Sequence, residues 1–568
     1  FQGRNNLCLL YRDSPDYKSA NAEELAKLCA DRKRATLNNA EYDIRLTTYE
    51  QLLTTYEQRV TTPDCPYFRN MLDIPEENLK KIYENKLPTA EEWSKICEEE
   101  LICPYETAKL MLKHATVVAA PYIFFFDKFL RQNLLNLMNC PIEDLILIID
   151  EAHNLSDFGR NLLSYELTEY QISMSERELE KIEKPFINGF SIGEFLDFLR
   201  NVIRNYSKKY IPPNQNDGII PDTELETDIY DYFGLTSVKM KKILADMKIL
   251  GKKIREDYRK EGKLPRSYLY SLVNFVSFYL DCDAEEYIKL ITTDDKQNPT
   301  LELYCMAPYL ATDIVNACHS SIHISGTLAP FEEYRDSIGL PLNVKTLCIP
   351  SPFPSENKKL FYVPNVTTQY ELRYRKDIYS LLKKYLIEIL NSTSRNCAVF
   401  FPGFAMIEQF NREEIELEVK KDLFIETRKL SQPELIEMVT SFKKAGEKEG
   451  AILFGVYGGR LSEGLDYPDK QLEIVVCFGI PYPQPTAKLI ALQDYYDKKF
   501  GKGWKYVCET PAIRKLKQAI GRLIRTPTDR GVVIILDERI KRFTKYFNEK
   551  IYLTEHPAQE IKKFFNEI

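Results

Sequence analysis

A chain of 568 residues holds roughly three to five domains at ~100–200 residues each, and its 44% hydrophobic and 28% charged content suits several packed cores. The net charge of −7 and pI near 5.7 exclude a uniformly basic binder, although a local basic groove suffices for nucleic acid. No apolar run reaches the ~18–20 residues of a membrane span and no export signal is evident, so the thirteen cysteines point to a reducing cytoplasm rather than to disulfides.

Residues 1–103 contain Cys8, Cys29, Cys65 and Cys103, with Cys97 as a spare. The intervening stretches of 20, 35 and 37 residues are far from the C-x₂-C pairs of a zinc site, and spacing alone favours scattered core cysteines. Their surroundings are more distinctive: Cys65-Pro66-Tyr67 and Cys103-Pro104-Tyr105 repeat one tripeptide, and Gly3-Arg4-Asn5-Asn6-Leu7 leads into Cys8. The basic run Asp31-Arg32-Lys33-Arg34 is either part of a nucleic-acid path or a solvated helix face. A near-duplication, Thr47-Thr48-Tyr49-Glu50-Gln51 and Thr54-Thr55-Tyr56-Glu57-Gln58, lengthens the stretch between Cys29 and Cys65.

Residues 114–120 read as a buried strand ending at Pro121-Tyr122. Residues 145–149 are five consecutive aliphatics, the pattern of a parallel strand covered on both faces. Asp150 and Glu151 follow at the carboxyl edge, where open α/β sheets bind ligands. Paired carboxylates there suit nucleotide chemistry, one holding Mg²⁺ and the other orienting or deprotonating water; a solvated acidic turn is the plainer alternative. Residues 167–182 and 238–258 carry apolar positions at helical spacing, with Pro212-Pro213 and Gly218 as loop signals. A short strand at 321–325 ends in Ser325-Gly326-Thr327-Leu328. Strand-like runs at 398–401, 451–456, 473–478 and 532–536 alternate with helical stretches, implying a second α/β unit over 350–568. Ser431-Gln432-Pro433-Glu434 has the form of a helix start. No G-x-x-x-x-G-K-[ST] loop occurs in the sequence, so the phosphate cradle that normally accompanies such carboxylates is expected upstream of Phe1, in a chain cut at its amino end.

Asp150-Glu151-Ala152-His153 resembles motif II of superfamily 2 helicases. Downstream, Ser325-Gly326-Thr327 resembles motif III, Gly459-Arg460-Leu461-Ser462-Glu463-Gly464-Leu465-Asp466 resembles motif V, and Gln518-Ala519-Ile520-Gly521-Arg522-Leu523-Ile524-Arg525 matches Q-x-x-G-R-x-x-R of motif VI. With the four cysteine contexts, the sequence resembles the XPD family of iron–sulfur helicases, archaeal type, over essentially its whole length.

The resemblance implies two RecA-like doubly wound parallel-sheet motor domains with an iron–sulfur insertion and a helical Arch insertion. Its segments would be 1–103 for the cluster domain, 104–164 and 291–349 for motor domain 1, 165–290 for the Arch, and 350–568 for motor domain 2. It implies an ATP-dependent 5′→3′ DNA helicase, a monomer acting on single-stranded and forked DNA in excision repair with other repair proteins and without a membrane. Cys8, Cys29, Cys65 and Cys103 would hold a [4Fe–4S] cluster, although four thiolates also suit Zn²⁺. Asp150 would bind Mg²⁺ and Glu151 act on the attacking water. His153 would couple the Mg²⁺ site to motif VI. Gly464, Asp466, Gln518, Arg522 and Arg525 would approach the nucleotide, the two arginines from one helix face as arginine fingers. Arg4, Tyr122, Phe401, Arg460, Ser462 and Tyr482 would meet DNA, the aromatics by stacking. A DinG-like helicase acting on flaps or R-loops shares these motifs. An ATPase-inactive single-strand binder would fit a protein that truly starts at Phe1.

Overall fold

The computed structural model describes residues 1–12, 17, 20–45, 64–86, 88–182, 186–187, 189–261, 263–282, 285–369, 371–372, 375–462 and 465–566. The near-duplication between Cys29 and Cys65 lies outside the described residues. Two compact units divide the chain. The first comprises Phe1–Ile148, Leu155–Ile322 and Thr486–Lys488, and the second Ile149–Asn154, His323–Pro485 and Leu489–Ile568. Among the described residues no helix is long and apolar enough to cross a membrane.

In the first unit, the repeated Cys-Pro-Tyr builds one local structure twice. Cys65 and Cys103 are N-caps in extended conformation, and Pro66 and Pro104 open the helices Pro66–Leu72 and Pro104–Leu112. Proline suits that position because its fixed φ is already helical and its missing N–H would have no partner there. Each cysteine is thus carried at the start of a helix.

The middle of this unit is built of helices, including Glu169–Leu179, Ile192–Tyr210, Ser237–Lys260 and Tyr268–Asp281. The helix expected over 167–182 starts two residues late because Thr168 and Gln171 form a reciprocal capping box, satisfying two otherwise orphaned N–H groups. Periodicity did not disclose the four-stranded antiparallel sheet, ordered Tyr165–Thr168, Pro299–Cys305, Tyr287–Thr293, Asp217–Ile219. Asp217 is buried in that sheet and accepts the N–H groups of Ala487 and Lys488, each at 2.9 Å.

Two expected strands differ. Residues 114–120 form no strand, and Val117 is 84% exposed; the apolar run is extended chain without a ladder partner among the described residues. Ile146–Ile149 is a strand, but Ile146 and Ile148 are exposed while Leu147 and Ile149 are buried. It pairs only with Ser320–His323, and among the described residues nothing covers its second face.

The second unit carries a seven-stranded parallel sheet ordered Asp422–Ile425, Ala451–Val456, Cys397–Phe401, Ile474–Cys477, Gly531–Ile535, Lys358–Tyr362, Ile551–Leu553. Every residue of the four strands read from the sequence is buried, as helices on both faces of a parallel sheet require. The three strands not foreseen flank that centre and carry polar residues such as Lys358, Lys359 and Asp422. The predicted helix start is present: Ser431 and Glu434 form a capping box at Gln432–Ala445.

Ser237–Lys260 and Tyr268–Asp281 approach closely at Gly251, where a Cβ would stand 2.8 Å from the Cα of Tyr270. Backbone cannot yield as a side-chain tip does. Gly251→Ala is expected to cost about 1–3 kcal/mol by overpacking, read as a lowered urea midpoint of the first unit.

Candidate functional site

The DEAH turn is tied to the segment that enters Ser325. Ile324 donates its N–H to the Ile149 carbonyl and accepts that of Ala152, both at 2.9 Å. Asp150 Oδ1 accepts the Glu151 N–H at 2.9 Å, and Glu151 is held in the left-handed region at φ +46°, which β-carbon sterics disfavour. That backbone leaves the Glu151 side chain 64% exposed, with Oε2 3.3 Å from His153 Nδ1.

His153 has the central position. Its Nδ1 lies 2.7 Å from Ser325 Oγ and its Nε2 3.0 Å from Gln518 Nε2. With the Gln518 amide donating, the imidazole is the Nδ1–H tautomer, whose proton faces Ser325 and Glu151. Ser325 Oγ also accepts the Thr327 N–H at 3.0 Å. One ring therefore joins the three stretches read as motifs II, III and VI.

The Gln518 helix, Thr510–Ile520, ends with Gly521 as its C-cap. Arg522 and Arg525 lie beyond it and do not share a helix face as expected, because the chain turns at Gly521. They converge by another route. Arg522 donates from Nε to the Ser462 carbonyl at 2.8 Å and from Nη1 to the Leu465 carbonyl at 2.7 Å. Arg525 Nε is 3.0 Å from Asp466 Oδ1, and Arg522 Nη1 is 3.9 Å from the same oxygen. The loop resembling motif V and the arginines resembling motif VI are one hydrogen-bonded body.

Several expected DNA contacts are placed otherwise. Ser462 is fully buried and donates its hydroxyl to the Gly459 carbonyl at 3.0 Å. Phe401 is fully buried among Phe410, Phe454 and Phe478, since a central strand has no free face. The Arg4 side chain is 13% exposed; its guanidinium lies 4.2 Å from the Tyr105 ring centre and 3.9 Å from Glu106. Tyr122 is half-buried, edge-on to Phe126 and Phe158. Tyr482 is half-buried between Trp504 and Arg539. Arg460 is exposed. Gly464 lies outside the described residues.

Beneath Arg460 sits Glu426, 2% exposed, whose Oε2 accepts the Val456 N–H at 3.2 Å. Burial pushes its pKa up, while the N–H groups of Val456 and Arg460 pull it back. Its carboxylate fills the space beside Gly455 and Gly459, where a Cβ would lie 3.2 and 3.1 Å from Oε2.

In the cysteine region all thiols are unbridged. Burial pushes the Cys8, Cys65 and Cys103 thiols up, and Cys29 raises all three further by repulsion. Four thiols from four separate stretches are thus brought into one neighbourhood. Among the described residues no three His, Cys, Asp or Glu side chains converge as ligands of a single metal ion. Glu106 next to them is buried and surrounded by cations: Lys33 at 2.9 Å, Lys109 at 3.1 Å and Arg4. Burial would raise its pKa, but the two lysines win and it lies below the usual range. Within the basic run, Lys33 is therefore committed to Glu106, and Arg32 Nη1 donates to the Asp64 carbonyl at 3.3 Å; Arg34 is 69% exposed.

Three sequence profiles cover the chain in succession: DEAD_2 over 1–172, the helical and beta-bridge domain over 176–371, and the helicase C-terminal domain over 386–552. The ATP-dependent DNA helicase CHL1 of Debaryomyces hansenii is 23% identical across 94% of this chain and 66% of its own length. The ATP-dependent DNA helicase XPD of Sulfolobus acidocaldarius is 25% identical across 78% of this chain and 73% of its own. A solved structure titled XPD helicase superposes with a TM-score of 0.56 at 22% identity, covering 82% of this chain and 78% of that one. The chain belongs to the XPD-like family of superfamily 2 helicases. It spans 66% and 62% of the two CHL1 helicases of Debaryomyces hansenii and Candida albicans.

Sequence reasoning missed a set of supports in this XPD-like chain. Arg514, one turn before Gln518, is buried against Glu333 at 2.6 Å and donates to the Leu328 carbonyl at 3.3 Å. Its spacing of four residues from Gln518 places both on one face, and that was the available signal. The same acidic helix, Phe331–Ile338, offers Glu332 to Lys502 and Lys505, and Asp336 to Tyr506. The two lysines hold the Glu332 pKa down to about 2, from an ordinary 4.5. A depressed carboxylate stabilises fully above its unfolded pKa and loses that contribution as pH falls through its folded one. Acid titration of the second unit should therefore show stability lost between about pH 4.5 and 2 that Glu332→Gln removes.

Proposed function

We propose that this chain is the motor of an ATP-dependent DNA helicase that moves 5′→3′ along single-stranded DNA, opens forked duplexes and serves DNA repair. The observation that supports it most is the three-way engagement of His153 by Glu151, Ser325 and Gln518. Catalytic carboxylates joined through one imidazole to a second nucleotide-facing motif suit a machine that converts hydrolysis into relative movement. The relatives' names, ATP-dependent DNA helicase in both cases, support the substrate class.

In this reading Asp150 binds Mg²⁺, which when bound polarises the phosphoryl oxygens. Glu151 orients or deprotonates the attacking water, its exposed carboxylate steered by His153. Arg522 and Arg525 meet the γ-phosphate as charge develops. Asp466 is 74% exposed, and a solvated ion pair is worth only about 0–1 kcal/mol. A phosphate, which accepts paired guanidinium hydrogen bonds, therefore outcompetes Asp466 for Arg525. The carbonyls of Ser462 and Leu465 keep Arg522 aimed throughout. Arg460, exposed above Glu426, contacts the DNA backbone.

Cys8, Cys29, Cys65 and Cys103 hold a [4Fe–4S] cluster, which when bound ties four stretches of chain together. The shared neighbourhood in which Cys29 repels Cys8, Cys65 and Cys103 supports this.

Two measurements test the reading. In the natural full-length protein, Glu151→Gln should lower DNA-stimulated ATP turnover by about 10²–10⁴-fold while leaving single-strand affinity unchanged; wild-type turnover would remove Glu151 from the chemistry. Protein purified without oxygen should contain iron and acid-labile sulfide in equal amounts, and Cys65→Ser should lose both. Zinc in their place would refute the cluster.

A further inference from the structure

The helix Ser237–Lys260 carries nine Lys and Arg against three Asp and Glu, a net +6 inside a chain of net −7. Its buried positions, Met240, Ile243, Leu244, Met247, Gly251 and Ile254, recur at three- and four-residue spacing and define one inward face. Part of the positive charge is consumed locally. Lys241 pairs with Asp281, Arg255 with Glu23, and Arg259 with Asp31 and Glu256. Lys260 is 3.9 Å from Asp257 and Lys248 lies over the Tyr270 ring, which leaves four lysines. Lys239, Lys242, Lys252 and Lys253 are exposed, and among the described residues none has an ion-pair partner. Lys242, Lys252 and Lys253 lie on the side away from Met240 and Met247 and flank Ile249, which is 65% exposed, while Lys239 stands at the edge of that face.

We infer that this outward face is a nucleic-acid contact surface, separate from the motor residues, that takes the phosphate backbone of DNA. The inference rests on the helicase reading. Charge is its first support: four unpaired cations on a rigid helix, with Lys242 and Lys253 about 16 Å apart along the axis, present a row of point charges to a polyanion. Composition is the second. Protein interfaces are depleted in lysine at their centres, and the face offers two well-exposed large apolar residues, Val238 at its end and Ile249 among the lysines, so an acidic protein partner would find little to bury. Backbone phosphates need only the cations, and the gain comes from released counterions.

The test is the triple variant Lys242→Gln, Lys252→Gln, Lys253→Gln in the full chain, with fluorescence anisotropy on a single strand, a blunt duplex and a fork across a salt series. These side chains are exposed, and thermal unfolding verifies that the fold is kept. Removing three phosphate contacts should make the slope of log affinity against log salt shallower by about 2–3 and weaken binding at least tenfold at low salt. Loss on the single strand assigns the face to a separated strand, and loss confined to the duplex or fork assigns it to the paired arm. Wild-type protein that binds DNA, with a variant matching it in affinity and slope on all three, overturns the inference and leaves the helicase reading standing. Wild-type protein that binds none of the three overturns the helicase reading itself, and this one with it. If polyglutamate binding is lost while DNA binding is unchanged, the face belongs to an acidic protein segment and the inference is wrong.

Discussion

Both ring nitrogens of His153 are committed, and much of the site depends on that. An imidazole with Nδ1 against Ser325 and Nε2 against Gln518 has no freedom to rotate without breaking one contact. Glu151, 3.3 Å from the same Nδ1, is thereby placed on a backbone that is strained at φ +46°. Strain of this kind costs about 1–3 kcal/mol and persists only where neighbours over-determine it. Here the neighbours are the Ile324 ladder contacts and the ring itself. The result is a carboxylate held in the open by its backbone rather than packed away.

The contacts around Gln518 would be fragile without support from the same helix. Arg514 supplies it by holding both Glu333 and the Leu328 carbonyl. Removing one partner of a buried pair strands the other charge and costs about 3–5 kcal/mol, whereas the solvated pairs of Glu332 contribute through number and proximity. The acidic helix Phe331–Ile338 is thus bound by one deep contact and several shallow ones. That combination fixes register at the core and tolerates adjustment at the rim.

How much of this was legible in the sequence follows from what each signal encodes. The central strands of the parallel sheet announced themselves because burial on both faces demands unbroken apolar runs. The flanking strands did not, since polar residues on a half-covered strand look like loop. The run at 145–149 is a strand as read, with Leu147 and Ile149 buried and Ile146 and Ile148 exposed among the described residues. Among the residues singled out from motifs, His153 meets Ser325 and Gln518 although 172 and 365 residues separate them in the chain, a convergence that the order of motifs suggests and single-residue chemistry does not. Ser462, Phe401 and Arg4 do not face outward as expected, because motif membership says nothing about which atoms a turn directs inward. Ser462 contributes its carbonyl to Arg522 and keeps its hydroxyl at home. The cysteines were recognisable from the Cys-Pro-Tyr contexts, but Glu106 was not, since a single glutamate carries no pattern until Lys33 and Lys109 close on it.

The carboxylate of Glu426 occupies the room that a methyl group would need at Gly455 and Gly459. At Gly459 an added carbon would meet Val456 first, its Cγ2 at 2.7 Å and its carbonyl oxygen at 3.0 Å, and then Glu426 Oε2 at 3.1 Å. The loop that carries Arg460 is thus seated against both a strand end and a buried carboxylate, and any side chain at residue 459 presses on the two together.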